Sequence, residues 1–194
     1  MWEWQSETYI LKQQGHFFDL NAVTYSPDGT MLATGGDDGK VKLWTVKNTL
    51  CFVTFSEHTG KITALQFTPS KGNAVLSASL DGTIRAYDLV KYRNFRTMKP
   101  TKPTQFSCLA IEQGGDIVAA GSLDPYDIHL FSLRTGQLLD VLSSHEGPIS
   151  SISFSPPTAN NSDSGSRLAS SSWDQTVKIW DIFGRQGLLE TLQH

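Results

Sequence analysis

Short runs in which apolar and polar residues alternate, broken by turn-forming clusters, fill most of the chain, and such alternation belongs to β-strands with one buried face. The runs at 22–25 and 31–35 flank Ser26, Pro27, Asp28 and Gly29, residue types that suit a tight reversal. Residues 35–39 (Gly-Gly-Asp-Asp-Gly) predict a hairpin leading into a strand at 40–44. The same grammar returns at 62–67 with a turn at 68–72, and at 149–154 with a turn opening on Ser155, Pro156 and Pro157. That last turn continues through 158–166, a stretch of Asn, Ser, Asp and Gly too polar to pack, predicted to be a mobile surface loop. Runs at 50–55, 94–98, 137–142 and 188–192 predict outer strands.

These runs are organised by a repeat of about 43 residues. One copy carries His16, Thr34, Asp38 and Trp44, the next His58, Ser77, Asp81 and Tyr87, and a later one His145, Ser170, Asp174 and Trp180. Four strand-like runs per copy at this period are the mark of propeller blades. Blades are predicted at 15–56, 57–98, 99–142 and 143–194, with 1–14 as the end of a preceding blade. Trp4 falls where a third strand finishes, and 9–12 predict the outer strand beside it. Both ends of the chain then offer the same outer element, so the expectation is an open slice of a larger ring whose two uncovered faces favour aggregation.

A Ser, a His and an Asp in one repeat also compose a nucleophilic triad, but a triad needs one strained, exposed nucleophile beside an oxyanion pocket. Here the trio recurs from blade to blade, as a folding element does. The chain contains no Gly-x-Ser-x-Gly elbow, no His-Glu-x-x-His and no P-loop. Residues 35–39 lead into a strand rather than a helix, and their two carboxylates would repel a phosphate. The five histidines are dispersed without a Cys-x-x-Cys, and Cys51 and Cys108 read as buried thiols of a reducing compartment. No catalytic residue, metal, cofactor or small-molecule substrate is expected. No apolar run approaches the roughly 20 residues of a membrane span, and the start lacks the basic and apolar regions of a signal peptide. Hydrophobic content of 39% is ordinary for a globular chain.

The repeat resembles that of the WD40 family over essentially the whole chain. The resemblance implies an all-β fold, a partial WD40 β-propeller of about four blades, each of four antiparallel strands. In that family a His bonds the Asp of a turn and a Ser or Thr, which in turn bonds a Trp indole. Such a tetrad pairs groups whose unpaired burial costs roughly 1–3 kcal/mol each. Carried over, the tetrads are His16, Thr34, Asp38 and Trp44; His58, Ser77, Asp81 and Tyr87; and His145, Ser170, Asp174 and Trp180. Tyr87 replaces the indole with a different geometry and predicts a weaker network. The third blade departs further. Lys99, Pro100, Thr101, Lys102 and Pro103 stand where a Gly-His pair opens the others, Ala120 takes the hydroxyl position, and Asp124 precedes the aromatic Phe131 by seven residues rather than six. This blade is expected to hold by packing, through Leu109, Ile111, Val118, Leu130 and Phe131.

Runs made almost wholly of residues outside the tetrads, at 2–9, 11–16, 92–97, 103–108 and 145–150, resemble WD-repeat proteins of the small-subunit processome. That resemblance implies a non-catalytic scaffold of ribosome biogenesis, in a small nucleolar ribonucleoprotein that supports early 18S rRNA processing. It implies a place in the nucleus and nucleolus. The partners it implies are other processome proteins, pre-rRNA and small nucleolar RNA, with no membrane. The alternative is a generic WD-repeat adaptor, a substrate receptor or signalling scaffold whose partner is a peptide.

In the WD40 family three positions per blade face one end of the propeller. They imply a candidate partner surface of Asp19, Asn21 and Asp37, then Lys61, Thr63 and Leu80, then Pro148, Ser150 and Trp173. Trp173 has two readings, an exposed anchor for a partner or a side chain packed on a neighbouring blade. Charge suggests a second surface. Lys91, Arg93, Arg96, Lys99 and Lys102 fall within the acid-free residues 91–102, interleaved with Tyr92 and Phe95, in a chain whose net charge is −3. The segment reads either as an RNA contact, with an aromatic stacked on a base, or as an edge whose cations discourage strand pairing.

Overall fold

The computed structural model describes residues 15–69, 72–156, 167–182 and 187–193, together with the backbone of β1 (Trp2–Glu3) and β2 (Thr8–Tyr9). β1 and β2 pair antiparallel, with Trp2 opposite Tyr9. Trp4, most of the strand predicted at 9–12 and the loop predicted at 158–166 lie outside the described residues.

The remaining strands form four antiparallel meanders, each running outward in chain order. The first sheet comprises β3 (Leu20–Tyr25), β4 (Met31–Gly36), β5 (Val41–Thr45) and β6 (Cys51–Phe55). The second comprises β7 (Ile62–Phe67), β8 (Ala74–Ser79), β9 (Ile84–Asp88) and β10 (Arg93–Met98). In the third are β11 (Gln105–Ile111), β12 (Ile117–Asp124), β13 (Asp127–Ser132) and β14 (Leu138–Ser143). The fourth holds β15 (Ile149–Phe154), β16 (Arg167–Ser172), β17 (Thr176–Asp181) and β18 (Leu188–Gln193). Successive inner strands β3, β7, β11 and β15 touch in turn, and β3 shares no comparable interface with β15. Among the described residues the fold is therefore an open arc of four propeller blades.

The core lies in the seams between sheets. Side chains alternate across a strand, so an inner sheet presents one set of residues to each neighbour. In the second sheet Ile62, Val75 and Tyr87 join Ala33, Val41, Leu43 and Phe55 of the first. Its other face, with Leu76, Ala78, Ile84, Ala86 and Met98, joins Phe106, Val118 and Phe131 of the third. A further cluster unites Cys108, Ala119, Ile128 and Leu130 with Ile149, Leu168 and Trp180. Every residue of β8 is consequently buried. The inner strand of the first sheet has only one covered face, and Leu20, Val23 and Tyr25 are 58%, 67% and 56% exposed.

Polar bonds cross each seam at one register. Asn21 donates from Nδ2 to the Ile62 carbonyl (3.2 Å), Thr63 Oγ1 to that of Phe106 (2.9 Å), and Ser107 Oγ to that of Ile149 (2.5 Å). A small residue beside each of these bonds admits the neighbouring strand. At Gly121 an added Cβ would stand 2.5 Å from Ile149 Cγ2, and at Gly35 it would collide with Ile62. In the fourth sheet the corresponding Ser150 turns to Ser171 Oγ at 2.8 Å.

Candidate functional site

Three blades carry a buried polar chain that ties the top of the inner strand to the β-hairpin beyond it. His16 Nδ1 donates to Asp38 (3.0 Å), His16 Nε2 accepts from Thr34 Oγ1 (2.9 Å), and the Thr34 oxygen accepts from Trp44 Nε1 (2.8 Å). His145 repeats the pattern with Asp174 (2.7 Å) and Ser170 (2.8 Å), and Trp180 Nε1 donates to Ser170 at 2.8 Å. One hydroxyl serves as donor to the imidazole and acceptor from the indole, so each polar group of the chain has a partner. Each Asp also closes its own turn. Asp81 accepts from the Thr83 amide at 2.9 Å and the Thr83 hydroxyl at 2.7 Å, and Asp174 does the same with Thr176 at 2.9 and 2.6 Å.

The second blade keeps part of this chain. His58 bonds Asp81 at 2.8 Å and Ser77 at 2.6 Å. Tyr87 is fully buried and stacks on Phe55 with centroids 4.1 Å apart. Its hydroxyl lies by Ser77, but no hydrogen bond of good geometry closes between them. Burial pushes the Tyr87 phenol well above its ordinary value and pushes His58 below its own, against the bond to Asp81. Burial would raise Asp81 and Asp174. The bonds from Thr83 and His58, and from Thr176, Glu146 and His145, outweigh it and hold both below the ordinary 3.8.

The third blade has no such chain. Ala120, Phe131, Val118 and Ile111 are buried in the apolar seam instead. Its hairpin is closed by Ser122, whose hydroxyl donates to the Asp127 carbonyl at 2.8 Å and to that of Pro125. His129 is buried between Phe106 and Phe131, its Nδ1 has no partner, and burial lowers its pKa. The histidine, serine or threonine, and aspartate groups of the first, second and fourth blades are, by contrast, enclosed and bonded to one another. Among the described residues no cluster of three metal-ligating side chains occurs.

The residues proposed from the repeat as a partner surface fall into two kinds. Asp37 accepts from Asn21 Nδ2 of its own blade at 2.7 Å and from Lys61 Nζ across the first seam. Thr63 is spent on Phe106, Asp19 lends its carbonyl to the Asp37 amide, and Leu80 and Pro148 are half-buried. Ser150 is exposed, and Trp173 is 73% exposed with, among the described residues, only its backbone amide engaged, on the Pro148 carbonyl. The signal for the cross-seam role of Asn21, Thr63 and Ser107 was their shared position, five residues after the His where the blade has one. Their acceptors are backbone carbonyls, which carry no letter in the sequence.

The basic run is divided by β10. Lys91, Tyr92 and Arg93 lie at the β9–β10 turn, whereas Lys99 and Lys102 lie beyond the far end of a strand of six residues, roughly 20 Å away. Arg96 is a clip between blades, donating from Nη2 to the Arg134 carbonyl at 2.6 Å. Phe95 is exposed at the bulge between Asn94 and Arg96. Tyr92 packs edge-on against Phe52 of the first blade, with centroids 5.8 Å apart.

The family profile described as WD domain, G-beta repeat matches residues 7–45, 49–88 and 136–181. The chain is 52% identical over 195 residues to the periodic tryptophan protein 2 homolog of Dictyostelium discoideum, covering all of this chain and 20% of that protein. To periodic tryptophan protein 2 of Arabidopsis thaliana it is 51% identical over 194 residues, covering 100% of this chain and 21% of the relative. The Saccharomyces cerevisiae protein of the same name is 52% identical over 193 residues, with 100% and 20% covered. The chain thus spans about a fifth of the length of the curated relatives it matches.

Proposed function

Given that the chain belongs to the WD40-repeat family and is similar along its whole length to periodic tryptophan protein 2, we propose that it is a non-catalytic scaffold of ribosome biogenesis. Its setting on this reading is the small-subunit processome in the nucleolus. Its partners are other processome proteins, pre-rRNA and small nucleolar RNA, and its role is support of early 18S rRNA processing. One observation carries the reading. The general WD profile passes over residues 89–135, yet the relatives match the chain without that gap. The third blade, which lacks the tetrad, is thus matched by the periodic tryptophan proteins where the general profile does not match.

Scaffolding asks for a rigid body with distinctive side chains on its rim. The enclosed tetrads and cross-seam bonds supply the rigidity. Trp173 is the side chain best placed to anchor a protein partner, because an exposed indole buried on binding is a frequent hot spot. Trp173→Ala is expected to alter stability by less than about 0.5 kcal/mol, as surface substitutions do, and to weaken partner capture. A urea melt of the variant beside its capture yield checks both halves. The test of the function is affinity purification of the tagged chain, and of a full-length relative, from nuclear extract, with probes for pre-rRNA and small nucleolar RNA. Recovery of both RNAs with the relative and the chain supports the scaffold. Recovery of neither, with a single defined protein instead, supports an adaptor.

A further inference from the structure

The geometry points to a single-stranded RNA-binding arc on the outer rim, built from the third turns of three successive blades: Lys47 in the first, Lys91, Tyr92 and Arg93 in the second, and Arg134 in the third. This rests on the ribosome-biogenesis reading and gives that reading a surface. Each turn joins the third strand of a sheet to its outer strand, so the antiparallel meander places all three at one end of the molecule. Contacts across the seams align them. Tyr92 meets Phe52 of the first blade, and Arg96 of the second bonds the Arg134 carbonyl of the third while its stem fills the space over Gly136. All four cations are exposed. The acids at this end are placed differently. The carboxylates of Asp28 and Asp88 fold back onto the amides of Thr30 and of Val90 and Lys91. Asp116 borders the third turn, its carbonyl accepting from Leu133 and its side chain exposed. The three turns themselves, residues 45–51, 88–93 and 132–138, carry four cations and one acid, Asp88.

Tyr92 is the feature that selects RNA. The turn requires a left-handed backbone at one position in every blade, with φ of 56° at Thr49, 48° at Tyr92, 78° at Gly136 and 61° at Gly187. Two blades place glycine there, the residue such a conformation favours. A bulky aromatic at that position is unfavourable to the fold, and Tyr92 is 48% exposed rather than buried in the core. Strain retained at a surface residue points to a use for the side chain. With Phe52 40% exposed behind it and Lys91 and Arg93 on either side, Tyr92 offers a face on which a base stacks while the cations hold the flanking phosphates.

The test is fluorescence anisotropy of the 194-residue chain with a labelled oligouridylate, across a salt series from roughly 50 to 200 mM. Four phosphate contacts at about 0.7 each give an expected slope of log affinity on log salt near −2.8. Lys47→Gln, Lys91→Gln, Arg93→Gln and Arg134→Gln should each flatten that slope by about 0.7. Tyr92→Gly, which relieves the backbone and so keeps the fold, should weaken binding about tenfold at an unchanged slope. Lys99→Gln and Lys102→Gln, at the opposite end, should change neither quantity. Absence of binding, a slope indifferent to the four neutral variants, or dependence on Lys99 and Lys102 would overturn the arc. The two readings fail separately. An intact RNA response in a chain that recovers no pre-rRNA from extract sinks the processome role alone. Normal recovery of pre-rRNA by the fourfold glutamine variant sinks the arc alone.

Discussion

Ser170 has one oxygen and two neighbours that depend on it, Trp180 as donor and His145 as acceptor. Trp180→Phe should therefore cost about 2 kcal/mol, the sum of a lost bond and lost packing. Tyr87→Phe should be neutral or stabilising, because the buried hydroxyl it deletes has no well-formed bond. Urea midpoints of the two variants make the comparison. His129 poses the same question with a proton added. His129→Leu removes an unpartnered buried nitrogen and should stabilise the chain by about 1 kcal/mol at neutral pH. Burial holds His58 and His129 below the ordinary imidazole value of 6.5, so the unfolded chain takes up their protons first. Stability that is full above pH 6.5 is then lost as pH falls toward the folded values. Asp81 and Asp174, held below 3.8, lose theirs only below that pH. The midpoint of His129→Leu should accordingly drop less between about pH 7.5 and 5.5 than that of the parent chain. The tetrads were legible in the sequence because each is spelled in side chains at a fixed period. His129 was not, since a lone histidine in a strand carries no sign of what surrounds it.

At the scale of elements, the seam decides which residues are interchangeable. Gly121 faces Ile149 and Cys108, with an added Cβ 2.5 and 2.6 Å from their side chains. Gly121→Ala should cost about 1–3 kcal/mol through overpacking, and Ile149→Ala about 2–5 kcal/mol through the cavity it leaves. Combined, the two should cost about 1 kcal/mol less than their separate effects together, since the first occupies space vacated by the second. A double-mutant cycle in urea measures that coupling, and strict additivity would show that the strands separate rather than share the space. The strands themselves were largely legible, because alternation and turn residues are local. The cross-seam bonds were not, and neither was the role of Arg96. In both cases the acceptor is a carbonyl of another blade, at Ile62, Phe106, Ile149 or Arg134. The basic run is contiguous in sequence but not in space. Arg93 and Lys99, near one another in sequence, stand at opposite ends of β10.

For the molecule as a whole, three seams of one design join four sheets, and they differ in what supports them. The first, second and fourth sheets combine apolar packing with histidine networks, whereas the third relies on apolar packing from Phe106 to Leu133. Attraction between apolar surfaces is chiefly entropic near room temperature and fades on cooling, and bonds between charged or polar partners do not share that dependence. Cooling therefore distinguishes sheets that are equivalent when warm. Amide hydrogen exchange at about 5 °C should show β12 and β13 losing protection relative to β8 and β9, and the difference should close on warming toward about 25 °C. The missing tetrad thus gives this propeller a preferred place to open in the cold, within the arc at its third blade.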